Sequence, residues 1–181
     1  MKRYLQALLK FVAQFAALLV ASVLLIVAYV WLTGPPYDAT LERDFVRRES
    51  DLQQLVLMTQ QDKHLVRIAP DFTWLDIDAS WPRANVGLTT ERWNRYRDLF
   101  QQVGLPVGII GGADGEILFP VYHAGFVPAG FSKGYVYSEK PPAPEVSSLN
   151  TMPTNIGPKY SDVHIAFKPI KKDWYIYRFE D

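Results

Sequence analysis

The sequence predicts an α+β protein: an N-terminal transmembrane helix, then one domain with about two helices packed on a mainly antiparallel sheet of five to six strands. Three observations carry this. Residues 11–32 are an apolar run without a single charge. Two later segments repeat apolar residues at helical spacing. The C-terminal half consists of short β-branched and aromatic stretches separated by turn residues, an order that segregates helices against one sheet.

Only Gln14 and Ser22 interrupt the 22-residue run. As a helix it extends about 33 Å, enough for a hydrocarbon core roughly 30 Å thick. Tyr29 and Trp31 sit near one end, where aromatic rings favour the membrane interface, and Lys2, Arg3 and Lys10 flank the other. A cleaved signal peptide has an apolar region of roughly 7–15 residues and a small-residue cleavage site. Here the run is longer and exits through Tyr29-Val30-Trp31-Leu32. The chain has no cysteine, which excludes a lipid-modified cysteine and any disulfide. The basic N-terminal flank keeps residues 1–10 in the cytoplasm and sends the rest out, since long domains translocate largely regardless of charge. The expectation is a single-pass protein of a bacterial inner membrane, with the lipid bilayer as partner of residues 11–32, a linker at 33–37 and a periplasmic domain at 38–181.

All 19 acidic but only 16 of the 19 basic residues follow Leu32, so that part carries a net charge of −3. With no lysine-arginine cluster it does not suit nucleic acid. Gly34-Pro35-Pro36 ends the apolar helix. A second helix starts near Asp38 or Thr40, both acceptable N-caps, and runs to about Asp62 with Leu41, Phe45, Leu52, Leu55 and Val56 on one side. That stripe docks on the domain's own sheet rather than forming a dimerising stalk, because Arg48 interrupts it. Leu65–Ile68 is a short strand before Pro70, followed by a loop with Asp71, Trp74, Asp76, Asp78 and Trp81. Thr89 or Thr90 caps a third helix with Trp93, Tyr96, Phe100 and Val103 on one face, and Gly104 ends it. Strands follow at Val107–Ile110 and Glu116–Tyr122 around a glycine-rich hairpin turn, then at Tyr135–Ser138, Val163–Phe167 and Trp174–Phe179. Between them Lys140–Lys159, with five prolines, forms a long loop anchored by Val146, Leu149 and Met152.

No catalytic, metal or cofactor motif stands out. His64, His123 and His164 lie on different elements without paired spacing. Asp71, Asp76 and Asp78 do not match a calcium loop. Gly111, Gly112 and Gly115 lack the lysine and following helix of a phosphate loop. Strand parity groups His123 with Ile117, Phe119 and Val121, toward the core or a pocket rim, and turns His164 to a solvated face. In Gly130-Phe131-Ser132-Lys133-Gly134-Tyr135-Val136-Tyr137, adjacent Ser132 and Lys133 diverge instead of pairing as a Ser-Lys nucleophile, and the string reads as a glycine-flanked strand start. His123, Ser132, Lys133 and Tyr135 are therefore candidates for ligand binding, not catalysis.

This string, the Pro-rich segment after it and Asp173-Trp174-Tyr175-Ile176-Tyr177 resemble a group of short bacterial proteins attached to membranes by one span. The resemblance covers residues 45–181. It implies an envelope protein with one compact domain and brings no catalytic residue. The order of elements is also similar to extracytoplasmic sensor domains of the PAS or Cache kind, an analogy of fold alone. The reading that follows is a non-enzymatic, membrane-anchored binding or interaction domain outside the cytoplasm. The alternatives are an envelope hydrolase or metal-dependent enzyme centred on His123, with Ser132 or Tyr135, and a structural subunit of an envelope complex.

Overall fold

A computed structural model describes residues 14–16, 18–25, 29, 34–75, 86–112, 115–126, 129–151 and 164–180, with Phe126 and Ala129 described by their backbone only. The expectations for Asp76, Asp78, Trp81, Met152, Val163 and the tail 1–10 lie outside these residues. Two compact units divide between Pro35 and Pro36. In the first, residues 14–16, 18–25 and 29 are helical, and Phe15, Leu18, Leu24 and Leu25 are exposed. Among the described residues no helix is long and apolar enough to cross a membrane.

The second unit is α+β. Helix α1 (Asp38–Gln61) and helix α2 (Thr90–Val103) accompany strands β1 (Leu65–Ile68), β2 (Thr73–Leu75), β3 (Ile109–Gly111), β4 (Ile117–Phe126), β5 (Ala129–Tyr137), β6 (His164–Lys171) and β7 (Trp174–Glu180). The seven strands form one sheet in the order β2-β1-β3-β4-β5-β7-β6, and every neighbouring pair is antiparallel. The expected five to six strands become seven because Thr73–Leu75, three residues inside the aromatic-acidic loop, turns back along β1. A segment that short shows no period in sequence.

Both helices follow their apolar period. Leu41, Phe45, Leu52, Leu55 and Val56 of α1 and Trp93, Tyr96, Phe100 and Val103 of α2 are buried on one face of the sheet. The stripe of α1 thus docks on its own domain. Arg48 at its border donates to the carbonyl of Val103 at the end of α2. Thr89 caps α2 by accepting the Arg92 N–H, and Gly104 closes it at φ 79°. Asp38 is not the cap of α1: Tyr37 occupies that position and offers no side-chain bond. Asn150 of the Pro-rich segment supplies the missing acceptor, its Oδ1 taking the Asp38 N–H at 2.9 Å.

Strand β4 contains the decisive irregularity. Pro120 lies in a central strand, where a residue without an N–H is tolerated beside a bulge, and the register of β4 against β5 shifts between Pro120 and Tyr122. The opposing residue is Gly134, where an added Cβ would collide with the Phe119 carbonyl. Gly134 is therefore required inside the strand, and β5 begins at Ala129 rather than near Tyr135. The extra residue reverses the parity of everything after it. His123 pairs with Ser132 on the face away from the helices and is exposed. Its expected approach to the core is corrected by this one-residue shift.

A smaller cluster, Val136, Phe167, Tyr175 and Tyr177, covers part of that outer face. Phe167 belongs there, with Ile165 packed against it, while Ala166 faces the helices. Ile165 and Phe167 thus share the outer face of β6. His164, with Ala166, points to the helix side and is half-buried rather than solvated. Along the free edge of β6, Val146 N–H donates to the Phe167 carbonyl at 2.7 Å and Phe167 N–H to that of Pro144 at 3.0 Å. The Pro-rich segment thus covers an edge that would otherwise offer unpaired backbone groups.

Candidate functional site

The four residues singled out in sequence separate into two pairs. Alternation along β5 sends Lys133 and Tyr135 toward the helices and Ser132 away, where it opposes His123. Tyr135 is buried, and its hydroxyl donates to the Leu41 carbonyl of α1 at 2.9 Å. Burial holds its phenol well above the ordinary range. Ser132 Oγ and Tyr177 Oη share a buried hydrogen bond of 2.7 Å. Burial likewise raises the Tyr177 phenol, although Ser132 and the charge of Arg67 oppose the shift. His123 forms no ion pair among the described residues. His64 Nε2 lies 3.1 Å from the Gly87 carbonyl. Among the described residues no group of three His, Asp or Glu side chains stands close enough to hold a metal ion.

Lys133 is the centre of a charged cluster. Its side chain is 1% exposed and its Nζ lies 2.8 Å from Asp38 Oδ1, which is 3% exposed in turn. That oxygen makes the ion-pair contact without a well-directed hydrogen bond. Oδ2 of Asp38 accepts the Leu149 N–H at 2.8 Å and the Ser148 hydroxyl at 3.2 Å, and Lys168 Nζ stands 3.6 Å away. Lys168 also meets Glu42 Oε1 at 2.6 Å. The Leu149 carbonyl accepts from Lys133 at 3.2 Å and from Arg178 Nη1 at 2.9 Å. Burial alone would raise the Asp38 carboxyl, but Lys133, the Leu149 N–H and Lys168 outweigh it and hold the group below its ordinary value. Burial lowers the Lys133 amine, with Asp38 opposing. This cluster clamps the start of α1, the middle of β5 and the Pro-rich segment together. Its donors and acceptors face one another across these three segments.

Open space lies elsewhere. An open cleft of about 650 Å³ is lined by Pro70, Arg97, Phe100, Gln101, Gly104, Leu105, Pro106 and Val121. It lies where the C-terminal turn of α2 faces the loop after β1 and the bulge of β4. Arg97 borders it and is held in place: its Cζ lies 3.6 Å from the Trp93 ring centroid and its Nε donates to the Pro70 carbonyl at 2.6 Å. A second cleft of about 490 Å³ lies where Lys140–Ala143 meet Ile165 and Phe167. None of the four sequence candidates lines the larger cavity. The sequence signal that leads to it is Arg97 four residues after Trp93, which stacks charge on an aromatic of the same helix column. Asp38 and Lys168 carry no such signal, because their partners are distant in sequence. Compared with protein-family models, curated proteins and solved structures, the chain matches none.

Proposed function

We propose that the chain is a membrane-anchored binding protein whose domain, residues 36–181, takes a small ligand outside the cytoplasm and performs no chemistry on it. The observation that carries this is the open cleft of about 650 Å³, lined mainly by apolar side chains with one guanidinium. Small-molecule sites are clefts of roughly 300–1,000 Å³ with few convergent polar groups. The reactive side chains are engaged elsewhere: Lys133 with Asp38, Ser132 with Tyr177, and Tyr135 with the Leu41 carbonyl. The anchor rests on the uncharged run 11–32 and on its flanks. The exposed Phe15, Leu18, Leu24 and Leu25 give the helical residues of that run the apolar surface a lipid-facing helix needs.

A topology experiment tests the placement. Protease added to spheroplasts should digest the domain, and a reporter enzyme that works only outside the cytoplasm should be active when fused after Asp181. A protected domain with a silent reporter would reverse the orientation.

A further inference from the structure

We propose that the cavity beside α2 takes a ligand with an apolar body and one anionic head group, carboxylate or phosphate, with Arg97 as the head-group partner. This rests on the binding reading above and names the ligand class for that site.

The lining decides the chemistry. Phe100, Leu105, Val121, Pro70 and Pro106 present hydrocarbon, Gln101 is neutral, and Arg97 is the charged side chain among them, with no carboxylate in the lining. Nor does Arg97 form a salt bridge among the described residues, whereas Lys133, Lys168 and Arg178 each meet an acid. A positive charge beside an apolar cavity with no acid in its lining selects an anion.

Arg97 is also fixed in advance. Trp93 lies beneath its guanidinium at 3.6 Å, the Pro70 carbonyl accepts from Nε at 2.6 Å, and Asn94 Oδ1 accepts from Nη1 at 3.1 Å. A guanidinium has five N–H donors in a planar fork. Those on Nη2 have no partner among the described residues. A fork already held on its Nε side loses little freedom on meeting an anion, and planar donors suit carboxylate and phosphate oxygens. Gln101, one turn further along the same column of α2, lies in the same lining and adds a neutral donor.

Calorimetric titration of the purified full-length chain with three probes sharing one apolar body tests this: 3-phenylpropionate, 3-phenylpropyl phosphate and 3-phenylpropanol. At least one anion should bind saturably, about tenfold or more tighter than the alcohol, the ratio one charge-assisted hydrogen bond supplies. Whichever anion is preferred names the head group. Arg97→Gln should abolish the difference between anion and alcohol, and Arg97→Lys, with charge but no fork, should leave a smaller difference than the wild type. Should Arg97→Gln fail to fold, Gln101→Glu at its exposed position should weaken the anions more than the alcohol. Equal binding of anion and alcohol overturns the anionic class, and an anion preference that survives both variants overturns Arg97 as the head-group partner, while the binding reading stands in either case. Failure of all three probes to bind overturns the small-ligand reading itself.

Discussion

The two faces of the sheet solve the burial of polar groups in different ways. On the helix face Lys133 is enclosed as an ion, beside Asp38 and under the carbonyl of Leu149. One residue earlier on the same strand, Ser132 is enclosed on the outer face as a neutral hydroxyl bonded to Tyr177. A buried charge is tolerated only when a partner and further hydrogen bonds surround it, and the partners here come from the first turn of α1 and from a loop more than a hundred residues later. A neutral pair needs only the adjacent strand. The charged solution therefore ties three distant segments together, and the neutral one stabilises two strands already paired.

Breaking the charged side should have the larger effect. Asp38→Ala leaves the Lys133 ammonium buried without its partner and removes the acceptor of the Leu149 N–H, so urea melts should show a loss of about 3–5 kcal/mol. The double variant Asp38→Leu with Lys133→Met removes both charges and should recover most of that loss, as apolar replacement of buried pairs commonly does. If the double variant is as damaged as the single, the clamp works through the hydrogen bonds to Leu149 rather than through the charge.

Acid should separate the faces without mutation. The folded-state carboxyl of Asp38 lies below its ordinary value of 3.8, so its contribution is fully present above that value and is lost as pH falls through the lower, folded-state one. Melts compared at neutral pH and below 3.8 should show an acid loss that is smaller in Asp38→Ala than in the wild type. Equal losses would mean that other carboxylates carry the acid limb.

The outer face should respond least. Tyr177→Phe removes one hydroxyl and leaves Ser132 with an unmet hydrogen bond, worth about 1–2 kcal/mol. A loss as large as that of Asp38→Ala would show that the hydroxyl pair is coupled to Arg67, whose charge reaches Tyr177.

Local chemistry was legible wherever neighbours in sequence decide the structure. Thr89 and Gly104 bound α2 because capping is settled within four residues, and the stripes of both helices report which sides are buried. The hairpin of β6 and β7 turns at Lys172-Asp173 as its composition indicates. Asp38 was legible as a residue that starts a helix, but not as the partner of Lys133, because nothing within α1 records what β5 brings to it.

The sequence by itself determined that an uncharged apolar run precedes an α+β domain, and where its two helices and most of its strands lie. Those properties follow from period, propensity and capping, all of them short-range. Only the tertiary structure decided that β2 completes a seven-stranded sheet and that the bulge opposite Gly134 turns His123 outward. It alone placed Arg97 at a cavity and enclosed Lys133 among groups from α1 and the Pro-rich segment. The physical reason is that a single inserted residue reverses a strand's faces, and that space and charge partners arise between segments far apart in the chain.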